Sequence, residues 1–160
     1  MTRLHELFPK PLLRSSMIST TAAGAIEQGR ADERRRRGED TLAAITGSAG
    51  QSVVDALRDL SPELGHWIVD FAYGDVFSRP ALSLPTRELT TIAALTALGN
   101  AQPQLKVHIE GALNVGCTPE QIVEVIIQMA VYAGFPSALN GISAAREVFE
   151  RRGVTIAVHP

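Results

Sequence analysis

Between Pro103 and Ala138 the chain reads PQLKVHIEGALNVGCTPEQIVEVIIQMAVYAGFPSA, a stretch that admits little besides two helices meeting at a sharp corner. Gly116 is placed to end the first helix in the left-handed conformation that glycine adopts without steric cost. Thr118-Pro119-Glu120-Gln121 then supplies an N-cap, a proline at the first helical position and the glutamine of a capping box. On the first helix Leu105, His108, Ile109, Ala112 and Leu113 follow the spacing of a core face, and His108 is its one polar member. The second helix is apolar nearly all round from Ile122 to Ala133, except for Gln128 and Tyr132, which lie four residues apart and share a side. A helix apolar on every side is expected to be buried. Buried polar groups need partners or a cavity to line. The two helices are therefore expected to form the wall of a pocket.

The remaining segments predict an all-α fold. Gly29 to Thr46 reads as a charged helix, Ser48 to Gln51 as a polar link and Ser52 to Leu60 as a short amphipathic helix. Ser61-Pro62-Glu63 opens another, running to about Ala72. Gly74 to Pro85, with two prolines, is expected to be a loop with one turn. Thr86 to Leu98 is a helix closed by Gly99, Gln102 or Pro103 opens the next, and Ser137 to Arg152 makes the last, ended by Gly153. Neither a βαβ alternation nor a glycine-rich phosphate loop nor an internal repeat is present. Met1 to Gln28 carries Pro9 and Pro11 among leucines, too interrupted for a long helix and too apolar for a free tail. It is expected to be an arm that docks on a partner, or a leader ahead of a start at Met17. Val154 to Val158 has strand propensity with no partner run and is read as an extended tail. The expected organisation is an arm over 1–28, one helical domain over 29–153 and a tail over 154–160.

Composition removes several function classes. Lys and Arg number 15 against 17 Asp and Glu, a net charge of −2, which provides no field for nucleic acid or an anionic membrane. The run Arg34 to Arg37 is flanked by Asp32, Glu33, Glu39 and Asp40 and reads as a solvated helix with local charge pairs. No apolar run approaches the ~20 residues of a membrane span. The N-terminus lacks the continuous hydrophobic region of a secretory signal. One cysteine, Cys117, forms no internal disulfide framework and fits a reducing compartment, so a cytoplasmic location is expected.

Several ordered blocks carry a family likeness. LKVH (Leu105 to His108), ALNVG (Ala112 to Gly116), TPEQIVEV (Thr118 to Val125) and AVYAGFPSALN (Ala130 to Asn140) resemble the carboxymuconolactone decarboxylase family, as do YGDVFSRPAL (Tyr73 to Leu82) and TRELTTIAAL (Thr86 to Leu95) upstream. The match covers roughly Phe71 to Phe149. It implies an all-helical, oligomeric fold of the alkylhydroperoxidase D type, as trimers or hexamers, and a role in aromatic compound catabolism. The thiol peroxidases of that fold place Cys-x-x-Cys between a glutamate and a histidine. Here Asn100 to Leu105, between Glu88 and His108, holds no cysteine, so the chain has no dithiol couple. Compared with the pathway decarboxylases, this chain carries Gln128 in place of a histidine, Asn114-Val115-Gly116 in place of Asn-Asn-Gly, and Glu88 in place of a small residue. Glutamine keeps the hydrogen bonding and loses the titrating proton.

The resemblance implies decarboxylation of a small carboxylated lactone such as 4-carboxymuconolactone. The carboxylate leaves, the electrons pass into a dienolate, and the dienolate is protonated. Such a reaction needs donors aimed at the developing oxyanion and one positioned acid, with neither metal nor organic cofactor. The four histidines, His5, His66, His108 and His159, are scattered and suggest no metal site. His108 is the candidate acid or oxyanion donor; the alternative is a core histidine satisfied by a backbone carbonyl. Glu88 orients His108 or carries a proton, or is a first-turn glutamate stabilised by the helix dipole. Arg79 and Arg87 are candidate clamps for substrate carboxylates, or form structural pairs. Gln128 and Tyr132 line the pocket as donors, or bond between helices at a subunit interface. All of these are expected to meet in one cavity near a subunit boundary, with Arg79 or Arg87 at its mouth. A proton-transfer isomerase or lactone-ring enzyme using the same His108–Glu88 pair, and a non-catalytic oligomeric binding protein, stay open as alternatives. The expected partners are the small carboxylated substrate and further copies of the chain.

Overall fold

A computed structural model of the protein describes residues 15–156, with side chains from Ala22 onward. The head of the expected docking arm and the end of the expected tail lie outside these residues. The elements are α1 (Ser15–Thr46), α2 (Ser48–Asp55), α3 (Pro62–Trp67), a π-helix (Ile68–Phe77), α4 (Leu84–Leu98), α5 (Gln102–Asn114), α6 (Pro119–Ala133) and α7 (Phe135–Arg152). No strand occurs among the described residues, and the fold is all-α. None of the described helices is long and apolar enough to cross a membrane.

The chain divides after Glu33, so the first half of α1 belongs to one unit and residues 34–156 to another. Helix α1 starts earlier than its charged segment suggested, because no proline follows Pro11 before Pro62. Residues 22–33 are exposed, and Gln28 Nε2 donates to Asp32 one turn on at 2.8 Å.

In the second unit, α4, α5, α6 and α7 enclose the main core. Ile92, Leu105, Ile109, Ile122, Ile126 and Val148 form its centre, each 0–2% exposed. The boundaries follow the local signals. Ser83 caps α4 by accepting from the Thr86 amide, and Gly99 closes it at φ 72°. Gly116 adopts φ 94° after α5, with the Cys117 amide donating to the Ala112 carbonyl at 2.8 Å. The capping box forms as expected: the Gln121 amide donates to Thr118 Oγ1, and the Thr118 amide donates to Gln121 Oε1. Gly141 lets α7 approach closely, since a Cβ there would stand 2.7 Å from Ile126 Cγ2.

The turn within the segment from Gly74 onward is the end of the π-helix, which continues to Phe77. Gly74 serves packing: a Cβ would stand 2.8 Å from the Arg34 carbonyl oxygen, and one on Gly38 would collide with the Val69 carbonyl. The end of α1 and the π-helix therefore cross backbone to backbone. Arg35 donates to Asp70 Oδ2 at 3.0 Å and forms an ion pair with Oδ1 at 2.7 Å, and Arg34 pairs with Asp75 across the same crossing. Helix α6, in turn, is covered on one side only. Ile122 and Ile126 are fully buried against α4 and α7, while Ile127 and Val131 are exposed. An apolar helix at the edge of a four-helix cluster buries only the stripe its neighbours reach.

Candidate active site

Glu88 lies in the first turns of α4 and His108 in the middle of α5, and these two helices pack side by side. Gly111, one turn beyond His108, sets how closely they approach. A Cβ at that position would lie 2.8 Å from Ile45 Cγ2 and 3.1 Å from Glu88 Oε2. Glu88 is wholly buried, with Oε2 2.9 Å from His108 Nδ1. Its Oε1 is also buried and has no hydrogen-bond partner among the described residues. With Glu88 ionised, its carboxylate only accepts, and Nδ1 then carries the hydrogen in this pair. The imidazole is then either the neutral Nδ1–H tautomer or the imidazolium, and in both Nε2 is free of Glu88.

His108 lines a cavity of about 420 Å³. Leu42 and Thr46 of α1, Val53 of α2 and Thr91 of α4 form part of its wall, with Pro103, Gln104 and Val107 beside His108 on α5. The π-helix supplies Ile68, Ala72, Tyr73 and Phe77. Its i→i+5 hydrogen bonding widens each turn, which brings residues four and five apart onto one side. The Phe77 ring stands 5.3 Å from Tyr73 and 6.4 Å from the His108 imidazole, so an aromatic row runs along the wall. Both hydroxyls of the wall threonines turn to backbone: Thr46 donates to the Leu42 carbonyl and Thr91 to the Arg87 carbonyl. What faces the space is mostly hydrocarbon, with the His108 ring and the Tyr73 phenol as its acid–base groups.

Burial, and the charge of Glu88 behind it, push the Tyr73 pKa up to about 12, so the phenol is a hydrogen-bond donor at neutral pH. The same two causes raise Cys117, whose Sγ lies 3.6 Å from the Pro85 carbonyl. Cys117 is therefore a buried thiol rather than an activated thiolate. A second cavity, about 620 Å³, lies between α6, α7 and residues 154–156. Although larger, it contains neither Glu88 nor His108, and Glu120, Glu124, Arg146 and Glu150 around it sit on exposed helix faces. Among the described residues no group of three His, Cys, Asp or Glu is arranged to hold a metal ion.

The structure thus joins Glu88 and His108 and leaves the other four expected site residues elsewhere. Gln128 and Tyr132 point away on the uncovered side of α6, with Tyr132 77% exposed. Their convergence with His108 does not occur within the chain, because the side that packs on α4 and α7 is the one bearing Ile122 and Ile126. Arg79 is exposed, and Arg87 Nη2 donates to the Arg79 carbonyl at 2.9 Å. Neither arginine lines the cavity. Tyr73 and Phe77 were missed because the segment around Gly74 reads as a loop. The spacing of Ile68, Ala72, Tyr73 and Phe77 was the available signal.

The profile of the carboxymuconolactone decarboxylase family matches residues 62–147, which include α3 through most of α7. The 4-carboxymuconolactone decarboxylase of Acinetobacter baylyi is 37% identical over 101 residues, 63% of this chain and 75% of that protein. An uncharacterised 15.0 kDa protein of Paracoccus denitrificans is 34% identical over 95 residues, 59% of this chain and 71% of that one. Nitrosuccinic acid decarboxylase of Metarhizium robertsii is 34% identical over 96 residues, 56% of this chain and 64% of that enzyme. The matched region contains Glu88, His108 and the aromatic row, and on this extent of similarity the chain belongs to the carboxymuconolactone decarboxylase family.

Proposed function

We propose that this protein is a cofactor-independent carboxy-lyase acting on a small carboxylated lactone. The observation that carries this is the buried Glu88 holding Nδ1 of His108 while the imidazole lines an apolar cavity. The decarboxylase names of two relatives support the reaction type. In the reaction the bond between the ring carbon and the carboxylate breaks and CO₂ leaves. The bonding electrons pass through the conjugated double bond to the lactone oxygen, giving a dienolate. Nε2–H of the imidazolium and the Tyr73 hydroxyl supply hydrogen bonds where that negative charge develops. The Nε2 proton then passes to carbon, and solvent returns one to the imidazole. Glu88 keeps the ring oriented and offsets its positive charge. A positioned acid of this kind contributes about 10²–10⁴-fold. Arg87 braces the loop before α4 by donating from Nη2 to the Arg79 carbonyl.

The test is incubation with carboxylated butenolides, following loss of CO₂ by mass spectrometry. Release of CO₂ that disappears in His108→Ala supports the assignment. An isomerised or ring-opened product without CO₂ points to a proton-transfer or lactone-ring enzyme. Binding without any turnover points to a non-catalytic binding protein.

A homo-oligomer, trimer or hexamer, is part of the same proposal. Val131, Tyr132, Phe135 and Leu139 are 67–79% exposed where α6 meets α7, an apolar area that a second copy would cover, bringing Gln128 to a subunit boundary. A stable monomer by light scattering at micromolar concentration would oppose this. The lone cysteine supports a reducing, cytoplasmic setting.

A further inference from the structure

Three arginines among the described residues are partly buried: Arg34, Arg35 and Arg87. Arg34 pairs with Asp75 and Arg35 with Asp70. Arg87 alone of the three has no acidic partner among the described residues. Its Nη2 donates to the Arg79 carbonyl, and its Nε is buried with no hydrogen-bond partner. Arg34 Nε is buried and unpartnered too, but Asp75 offsets the charge of that guanidinium. A cation that has lost part of its hydration and gained one carbonyl destabilises the fold. Its place adds to the effect. Arg87 lies near the N-terminus of α4, whose first turn holds no acidic residue, so guanidinium and helix dipole present the same sign. Glu88, the next residue, does not answer it, because its Oε2 is turned to His108 on α5. What complements Arg87 is an anion.

Two parts of the cavity wall lead to this guanidinium. Thr91 lines the cavity one turn beyond Arg87 on the same side of α4, and its hydroxyl donates to the Arg87 carbonyl. Phe77 lines the cavity at the end of the π-helix, and the Arg79 carbonyl that holds Arg87 follows two residues later. Helical side chains lean toward the N-terminus of their helix. Arg87 therefore reaches from the level of Thr91 toward the loop after Phe77, beside the apolar space rather than within it.

Resting on the decarboxylase assignment above, we propose that Arg87 determines specificity by receiving a second carboxylate of the substrate, the one retained in the product, while His108 and Tyr73 serve the reacting end. A guanidinium offers five N–H donors in a planar fork that matches a carboxylate. The bond from Nη2 to the Arg79 carbonyl fixes the direction of that fork and leaves other donors for the ligand. The retained carboxylate carries the same charge before and after CO₂ leaves. Its contact with Arg87 stabilises ground and transition states alike, and so acts on binding more than on bond cleavage.

The experiment compares two butenolides carboxylated at the γ carbon, one with an acetate arm on that carbon and one with the isosteric acetamide arm. The parent should favour the acetate compound in kcat/KM by at least about tenfold, the discrimination given by one charge-assisted pair. In Arg87→Gln that preference should fall to near parity, the loss falling on KM more than on kcat. Arg87→Lys, which keeps the charge and loses the fork, should recover part of it. An unchanged preference in folded Arg87→Gln overturns the proposal and leaves the decarboxylase assignment standing, as does a parent that turns over both compounds equally. If the parent releases CO₂ from neither, the decarboxylase assignment fails, and calorimetric binding of the same pair still decides on Arg87. A binding preference for the acetate compound that is lost in Arg87→Gln supports the site, whereas equal binding of the two compounds overturns it. Light scattering separates the other source of a carboxylate. Dissociation of an oligomer in Arg87→Gln with the acetate preference intact assigns Arg87 to an acidic side chain of a second copy and overturns its role toward substrate.

Discussion

Nδ1 of His108 lies 2.9 Å from Oε2 of Glu88, a carboxylate with no exposed surface. Each residue therefore has a structural and a chemical consequence, and substitutions can separate them. In His108→Ala the buried carboxylate loses its donor, which costs about 1–3 kcal/mol or more for a charged group. In His108→Asn the side-chain amide can still donate to Glu88 but cannot deliver a proton. We expect His108→Asn to melt close to the parent and lose at least ~10² in turnover. Full activity in that variant would remove His108 from the chemistry.

Glu88→Gln keeps the volume and an acceptor oxygen while removing the buried charge. Removing that charge also removes its desolvation cost, so thermal stability should hold or rise. Turnover should fall by ~10² or more, since nothing then offsets the imidazolium. A variant that is both more stable and fully active would reduce Glu88 to a packing residue.

Gly111→Ala probes the spacing of the two helices. Its new methyl group would press on Ile45 Cγ2 at 2.8 Å and on Glu88 Oε2 at 3.1 Å. Overpacking of this kind costs about 1–3 kcal/mol, and the shift of α5 should lower kcat together with the melting temperature. Gly116→Ala, with open space around it but φ at 94°, should lower stability and leave kcat per folded molecule unchanged.

Tyr73 makes stability depend on alkaline pH. Its pKa rises from 10.0 to about 12 on folding, chiefly by burial and then by the charge of Glu88. Between these values the unfolded chain has lost the phenolic proton and the folded chain retains it. Stability is thus fully present below pH 10 and falls as pH rises toward about 12, by about 3 kcal/mol in all. Denaturant midpoints measured from pH 9 to 11.5 should show the decline, and Tyr73→Phe should flatten it. An equal decline in both proteins would assign it to other groups.

Much of the fold could be read directly from residue order. The Thr118–Gln121 capping box, the left-handed turns at Gly99, Gly116 and Gly153, and the helices between them depend on contacts within a few residues, where local preference decides. The inward position of His108 followed from the period of α5, and its approach to Glu88 is consistent with both lying on apolar faces. Other features depend on neighbours far along the chain. The period of α6 marked it as apolar but not which of its sides would be covered within the chain, and Gln128 and Tyr132, expected to line a cavity near a subunit boundary, are exposed in the single chain. The π-helix arises where Gly38 and Gly74 let two backbones meet, and that crossing carries Tyr73 and Phe77 to the cavity. Arg87 Nη2 donates to a backbone carbonyl eight residues back, a partner that residue spacing does not announce. Capping and periodicity are short-range and survive in the sequence alone, whereas the coverage of a helix side, the widening of a helical turn and the choice of a hydrogen-bond partner are settled only when distant segments compete for the same space.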